Sequence, residues 1–257
     1  MTRQHQLETT LRTLKLSGML ETLDARLGQA RGGELGHLEF LQVLCEDEIA
    51  RREAAALSRR VRHARFETTA TLEEFDFNYN PKIPAAQIRD LATLRFVERN
   101  ESVILHGPVG VGKTMIAQSL GHAACRRGHT VAFTKTSRLL ADLAGGHADR
   151  TWGTRLRRWA KPDVLILDDF AMRDLPAPQA DDLYELVTER QDRGALVLTS
   201  NREPASWYPL FPNPVVAESV LDRVINTAHH IHMPGRSYRP NTRPGAARPK
   251  QKGAASE

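Results

Sequence analysis

The chain has 257 residues, 40% of them apolar and 26% charged, which suits one substantial globular domain with a smaller appendage. No apolar run approaches the length of a membrane span, and no signal-peptide core follows the N-terminal Met-Thr-Arg-Gln-His-Gln, so a cytoplasmic protein without membrane partners is expected. The 36 basic residues outnumber the 31 acidic ones only because six basic residues and one acid lie from residue 236 onward; the first 235 residues balance at 30 against 30.

Residues 5–66 read as helical. Leu7, Leu11 and Leu14, then Leu16, Leu20, Leu23 and Leu27, recur at spacings of three and four, Gly32-Gly33 breaks the pattern, and Phe40, Leu41 and Leu44 begin a second run that ends in an arginine-rich stretch at 51–65. Residues 1–66 are therefore expected to form a small helical domain, and 67–100, with Asn80-Pro81 and Ile83-Pro84, a connector. From residue 101 to 235 strands alternate with helices. Strands are expected at 103–105, 130–133, 164–167, 195–199 and 230–233, and helices at 114–127, 137–143, 179–193 and 215–227. That order implies α/β architecture, a parallel sheet covered by helices on both faces. Residues 236–257, rich in Pro, Gly, Lys and Arg and without periodicity, read as a disordered tail. Cys45 and Cys125 are isolated and suit neither a disulfide framework nor a zinc site.

The first strand runs into Gly107-Pro108-Val109-Gly110-Val111-Gly112-Lys113-Thr114, a complete match to the phosphate-binding P-loop, and a helix follows. In such a loop backbone N–H groups surround phosphate oxygens and the helix N-terminus adds its dipole. Lys113 is placed to meet the β and γ phosphates of ATP, and the Thr114 hydroxyl to hold Mg2+. Val164-Leu165-Ile166-Leu167-Asp168-Asp169 delivers two acids at the C-terminal edge of a strand, where ligands of open α/β sheets gather. Asp168 would hold Mg2+ through water, and Asp169 would orient or deprotonate the attacking water. Asn201, at the end of the fourth strand, is a candidate for positioning that water.

Residues 76–239 resemble the IstB/DnaC branch of the AAA+ ATPases, and the N-terminal helices with Phe75-Asp76-Phe77 extend the likeness towards IstB, the helper ATPase of bacterial insertion sequences. Its most specific carriers are Thr199-Ser200-Asn201, Leu221-Asp222-Arg223 and Ser237-Tyr238-Arg239. The resemblance implies a P-loop NTPase with a five-stranded parallel sheet ordered 5-1-4-3-2, with Asn201 as sensor 1, Arg223 as arginine finger and Arg239 as the sensor 2 arginine. It also implies no C-terminal helical lid. The chain departs from many AAA+ proteins in carrying Asp-Asp where they have Asp-Glu.

Three basic clusters could meet phosphates: the six arginines of 51–65; Arg155, Arg157, Arg158 and Lys161 between Trp152 and Trp159; and the tail. No helix-turn-helix, zinc or RNP signature accompanies them, so backbone contact with little sequence preference is expected. The resemblance names DNA as the target, a transposase as partner and a homo-oligomer as the working form, with hydrolysis timing the complex. Within the same fold a DnaC-like helicase loader remains an alternative. A P-loop small-molecule kinase and a non-hydrolysing nucleotide-gated module, which the short Asp169 allows, are rivals from other classes.

Overall fold

The computed structural model describes residues 2–69 and 71–242. The chain divides into two compact units, Met1–Arg60 and a second from Val61 onward.

The first unit holds α1 (Arg3–Thr13), α2 (Ser17–Arg31) and most of α3 (His37–Ala64). The Thr2 side chain caps α1 by accepting from His5 N. Leu11, Leu23 and Leu44 form the buried centre, with Leu16, Met19, Leu27 and Phe40 packed around them. The leucine stripe overstates this core, because Leu7, Leu14 and Leu41 are exposed. Gly18 lets α2 approach α3 closely: a Cβ there would strike the Glu48 backbone. The buried Glu48 carboxylate accepts from Gly18 N at 2.5 Å and pairs with Arg51 and Arg52.

In the second unit the expected connector is partly helical. It carries α4 (Ala85–Leu91) and α5 (Arg95–Glu98), which bury Ile88, Leu91, Phe96 and Val97. The sheet follows: β1 (Ser102–His106), α6 (Lys113–Arg126), β2 (Val131–Lys135), α7 (Thr136–Ala148), α8 (Trp152–Ala160), β3 (Val164–Asp168), α9 (Ala177–Arg190), β4 (Ala195–Ser200), α10 (Pro214–Ile225) and β5 (Ala228–His232). All pairings are parallel and the order is β2-β3-β4-β1-β5, the order the family resemblance implies. Strands β1, β3 and β4 are buried throughout, as continuous Val/Ile/Leu runs require when both faces are covered. The fifth strand starts two residues earlier than its apolar residues suggest. Its sequence, AHHIH, belongs to a sheet edge on which only Ile231 is buried. Pro214 opens α10 behind Asn213, whose side chain accepts from Val215 N at 2.9 Å.

Within the expected tail, earlier residues hold the backbone at 236 and 237. Tyr79 Oη donates to Ser237 O at 2.9 Å and Asn80 Nδ2 to Arg236 O at 3.1 Å. The part of that expected tail from 243 to 257 lies outside the described residues. No helix among the described residues is long and apolar enough to cross a membrane.

Candidate nucleotide site

The P-loop leaves the C-terminal end of β1 and turns into α6. Gly110 and Gly112 hold φ of +81° and +99°, a region that side chains with a Cβ rarely enter. A Cβ on Gly110 would also collide with the Ser237 side chain, so the loop is boxed in from outside as well as strained. Beneath it His106 is buried and stacks on His232, ring centroids 5.0 Å apart. Burial pushes the His106 pKa down, and His232 pushes it further, which keeps a neutral ring under the loop.

Lys113 is buried, and its three N–H donors are all engaged. Nζ donates to Gly107 O at 2.7 Å, to Pro108 O at 2.6 Å and to Asn201 Oδ1 at 2.8 Å. Burial lowers its pKa to about 8, against the opposing pull of Asp168 and Asp169; the nearby charge of Arg239 adds to the depression. An ammonium held this way bends over the loop, where a phosphate oxygen can replace a carbonyl as acceptor.

Asp168, the last residue of β3, is 2% exposed. Its Oδ1 accepts from Thr114 Oγ1 at 2.8 Å and from Thr199 Oγ1 at 2.5 Å. Thr114 thus spends its proton on the carboxylate and keeps its oxygen lone pairs available. A hydroxyl oxygen and a carboxylate are the hard oxygen donors that Mg2+ prefers, so the pair fits that ion. Asp169 turns away through a left-handed backbone, φ +56°. Its N–H donates to Thr199 Oγ1 at 3.1 Å, and its Oδ2 takes Lys135 Nζ at 3.1 Å. That pairing raises the Lys135 pKa.

The structure therefore brings two bonded pairs together on the adjacent residues Lys113 and Thr114, Lys113 with Asn201 and Thr114 with Asp168. It sets Asp169 beside these pairs but tied to Lys135, and Arg239 within reach of the charge on Lys113. Arg223 stands apart. Its Nε donates to Gln191 Oε1 at 2.9 Å and a terminal nitrogen to Ser219 O at 2.6 Å, with the guanidinium 5.8 Å from the Tyr184 ring centroid. It lies in the last turn of α10, five residues before Ala228, which pairs with Ser102 at the start of β1. The P-loop leaves the other end of that strand, about 13 Å away at ~3.3 Å per residue.

A family model described as IstB-like ATP binding protein matches residues 9–246. The chain belongs to that family. This IstB-like chain is 68% identical over 240 residues to a protein of Mycobacterium tuberculosis named as an ATP-binding protein in an insertion sequence, covering 93% of this chain and 96% of that one. It is 35% identical over 235 residues to the IS21 ATP-binding protein of Pseudomonas aeruginosa, covering 91% and 89%. Among solved structures it resembles DnaI, with TM-score 0.56, 21% identity and coverage of 64% and 91%. It also resembles AMPPCP-bound DnaA from Aquifex aeolicus, with TM-score 0.55, 17% identity and coverage of 66% of this chain. This chain spans about half the length of that DnaA chain, 51%. These distant likenesses establish the P-loop AAA+ fold of this family member.

The structure also revises the basic clusters. In the IstB-like chain Arg155 and Arg158 are committed internally: Arg155 to Asp142 at 3.1 Å and Asp149 at 2.5 Å, Arg158 to Asp142 at 2.6 Å. Trp152 and Trp159 donate their indole N–H groups to Asp182 and Asp142. The tryptophans are thus packing and hydrogen-bonding residues of α8, and Arg157 and Lys161 carry what is left of that cluster. Arg51 and Arg52 are likewise tied to Glu48.

Two site residues escaped the sequence reading. Thr199 enters the sequence reading only as part of a motif, yet its hydroxyl links Asp168 and Asp169. Lys135 gave no signal, since a lysine ending a strand is ordinary; only the β2–β3 register, Lys135 opposite Asp168, brings it beside Asp169.

Proposed function

We propose that this family member is an ATP-hydrolysing, DNA-binding AAA+ protein that assembles as a homo-oligomer on DNA and assists the transposase of an insertion sequence. The observation that carries the proposal is the separation of Arg223 from its own P-loop: Arg223 lies near the start of β1 and the loop leaves the end of that strand. Each chain then offers an ATP site at the C-terminal end of the sheet and an arginine for a neighbour's site at the other end.

Lys113 and the loop N–H groups bind the phosphates. Thr114 and Asp168 would hold Mg2+, which screens phosphate charge when bound. Asn201 and Asp169 orient the attacking water, and Arg223 of a neighbouring chain stabilises charge on the transferring phosphoryl group. Arg239 meets the terminal phosphate from the C-terminal segment. DNA contact is made through phosphates, with Arg157, Lys161, the tail from 243 and the cations of 59–65 as candidates. A cytoplasmic location fits such a role.

The names of the relatives support the insertion-sequence assignment over helicase loading, for which the DnaC helicase loader offers a likeness of fold, TM-score 0.53 at 18% identity. ATPase assays with and without duplex DNA, followed by pull-down of transposase against replicative helicase, test the proposal. DNA-stimulated turnover and retention of the transposase are expected; phosphate transfer to a metabolite, or helicase retention alone, would contradict it.

A further inference from the structure

The chain before the sheet and the chain after it meet on the P-loop. Tyr79 Oη donates to Ser237 O at 2.9 Å, and the Tyr79 and Tyr238 rings meet edge to face with centroids 4.7 Å apart. Asn80 Nδ2 donates to Arg236 O at 3.1 Å, and the Arg236 guanidinium lies 5.3 Å from the Tyr79 ring centroid. The segment so held is bonded to the loop itself. Tyr238 N donates to Gly110 O at 2.8 Å, and the Ser237 side chain occupies the space beside Gly110. Arg239 comes next, close enough for its charge to act on Lys113.

After Met233, whose N–H still donates to His106 O at 2.8 Å, residues 234–238 lie outside any strand or helix, so their placement depends on such anchors; each ordered residue otherwise carries an unfavourable loss of backbone freedom. Tyr79 supplies a hydrogen bond and a ring contact to two successive residues of it. We propose that Tyr79 is a positioning residue for ATP, acting through residues 237–238 to fix the Gly110 carbonyl and to hold Arg239 at the terminal phosphate.

The proposal rests on the P-loop reading of the site and sharpens it. Gly110 belongs to the part of the loop that both ATP and ADP use, whereas Arg239 adds charge at the Lys113 end, where the third phosphate lies. Loosening the segment therefore weakens ATP more than ADP. A residue that only stabilised the fold would weaken both alike.

The test is equilibrium titration of the full chain with a non-hydrolysable ATP analogue and with ADP, on wild type, Tyr79→Phe, Arg239→Ala, the double variant and Lys113→Ala. Tyr79→Phe keeps the ring and removes one hydrogen bond, so folding is preserved. ATP-analogue affinity is expected to fall about five-fold, the ordinary effect of one hydrogen bond, with less than about half that change for ADP. In the Arg239→Ala background Tyr79→Phe is expected to leave the ATP-to-ADP ratio nearly unchanged, because both act through one segment. Equal loss for the two nucleotides, or independent and additive effects of the two substitutions, would overturn the role of Tyr79 while leaving the P-loop reading intact. Unaltered binding by Lys113→Ala would overturn both.

Discussion

Lys113 Nζ stands 2.8 Å from Asn201 Oδ1, although 88 residues separate them in the chain. This contact joins the P-loop to the residue that follows β4, at the C-terminal ends of two neighbouring strands. Asn201 Nδ2 in turn donates to Met172 Sδ at 3.2 Å, which reaches the loop after β3. The three strand ends that flank the phosphate position are thus mechanically linked through one amide.

The depressed pKa of Lys113, about 8, makes nucleotide binding pH-dependent. Phosphate favours the ammonium, so binding must raise that pKa and take up a proton above about pH 8. ATP affinity is expected to be level below pH 7 and to weaken by up to about tenfold per unit above pH 8. Calorimetry in buffers of different ionisation heat measures the uptake; none near pH 8.5 would contradict this picture.

Asn201→Ala removes a partner of Lys113 and the group proposed to orient water. ATP affinity is expected within about three-fold of wild type, since two carbonyls still hold the ammonium, while turnover falls about a hundred-fold. Equal losses in affinity and turnover would assign Asn201 to binding alone.

The Lys135–Asp169 pair engages the acid that follows β3. Both side chains are more than a third exposed, 36% and 42%, so the pair contributes no more than about 1 kcal/mol. Lys135→Ala should then raise DNA-independent turnover by no more than about five-fold, whereas Asp169→Asn should leave ATP bound and unhydrolysed. Normal turnover by Asp169→Asn would mean that another group activates the water.

The ion pairs of α8 divide its arginines by role. Asp142→Ala strips partners from Arg155, Arg158 and Trp159 and should destabilise the protein by about 1–3 kcal/mol with little effect on DNA affinity. Arg157→Glu with Lys161→Glu should lower DNA affinity without changing thermal stability. Deleting residues 241–257 should reduce the slope of log K against log salt by up to ~0.9 per lost phosphate contact. A salt slope unaltered by either change would place the contact on the cations of 51–65.

The P-loop, the two acids ending β3 and Asn201 were legible because each lies where a strand ends, and strand ends can be located from short apolar runs. The sheet order came from family resemblance, since spacing does not say which strands neighbour. Contacts made by register or by a returning segment left no trace. Lys135 is an ordinary strand-end lysine, Tyr79 sits in a segment that reads as a connector, and 236–239 has the composition of a tail. The paired arginines of α8 misled for the opposite reason: composition records charge, but its neutralisation depends on Asp142 and Asp149 from the preceding helix and turn.

The central claim is that one working site is built from two chains, and mixing two inactive variants tests it most directly. Arg223→Ala should bind ATP nearly normally and lose most hydrolysis, because its charge matters chiefly in the transition state. Lys113→Ala should lose ATP binding. In mixtures that exchange subunits, some interfaces unite the intact P-loop of the first variant with the intact arginine of the second. DNA-stimulated ATPase above that of either variant alone is the predicted result. No such gain, in mixtures shown by labelled subunits to exchange, would contradict a shared site and return Arg223 to an ordinary role at the end of α10.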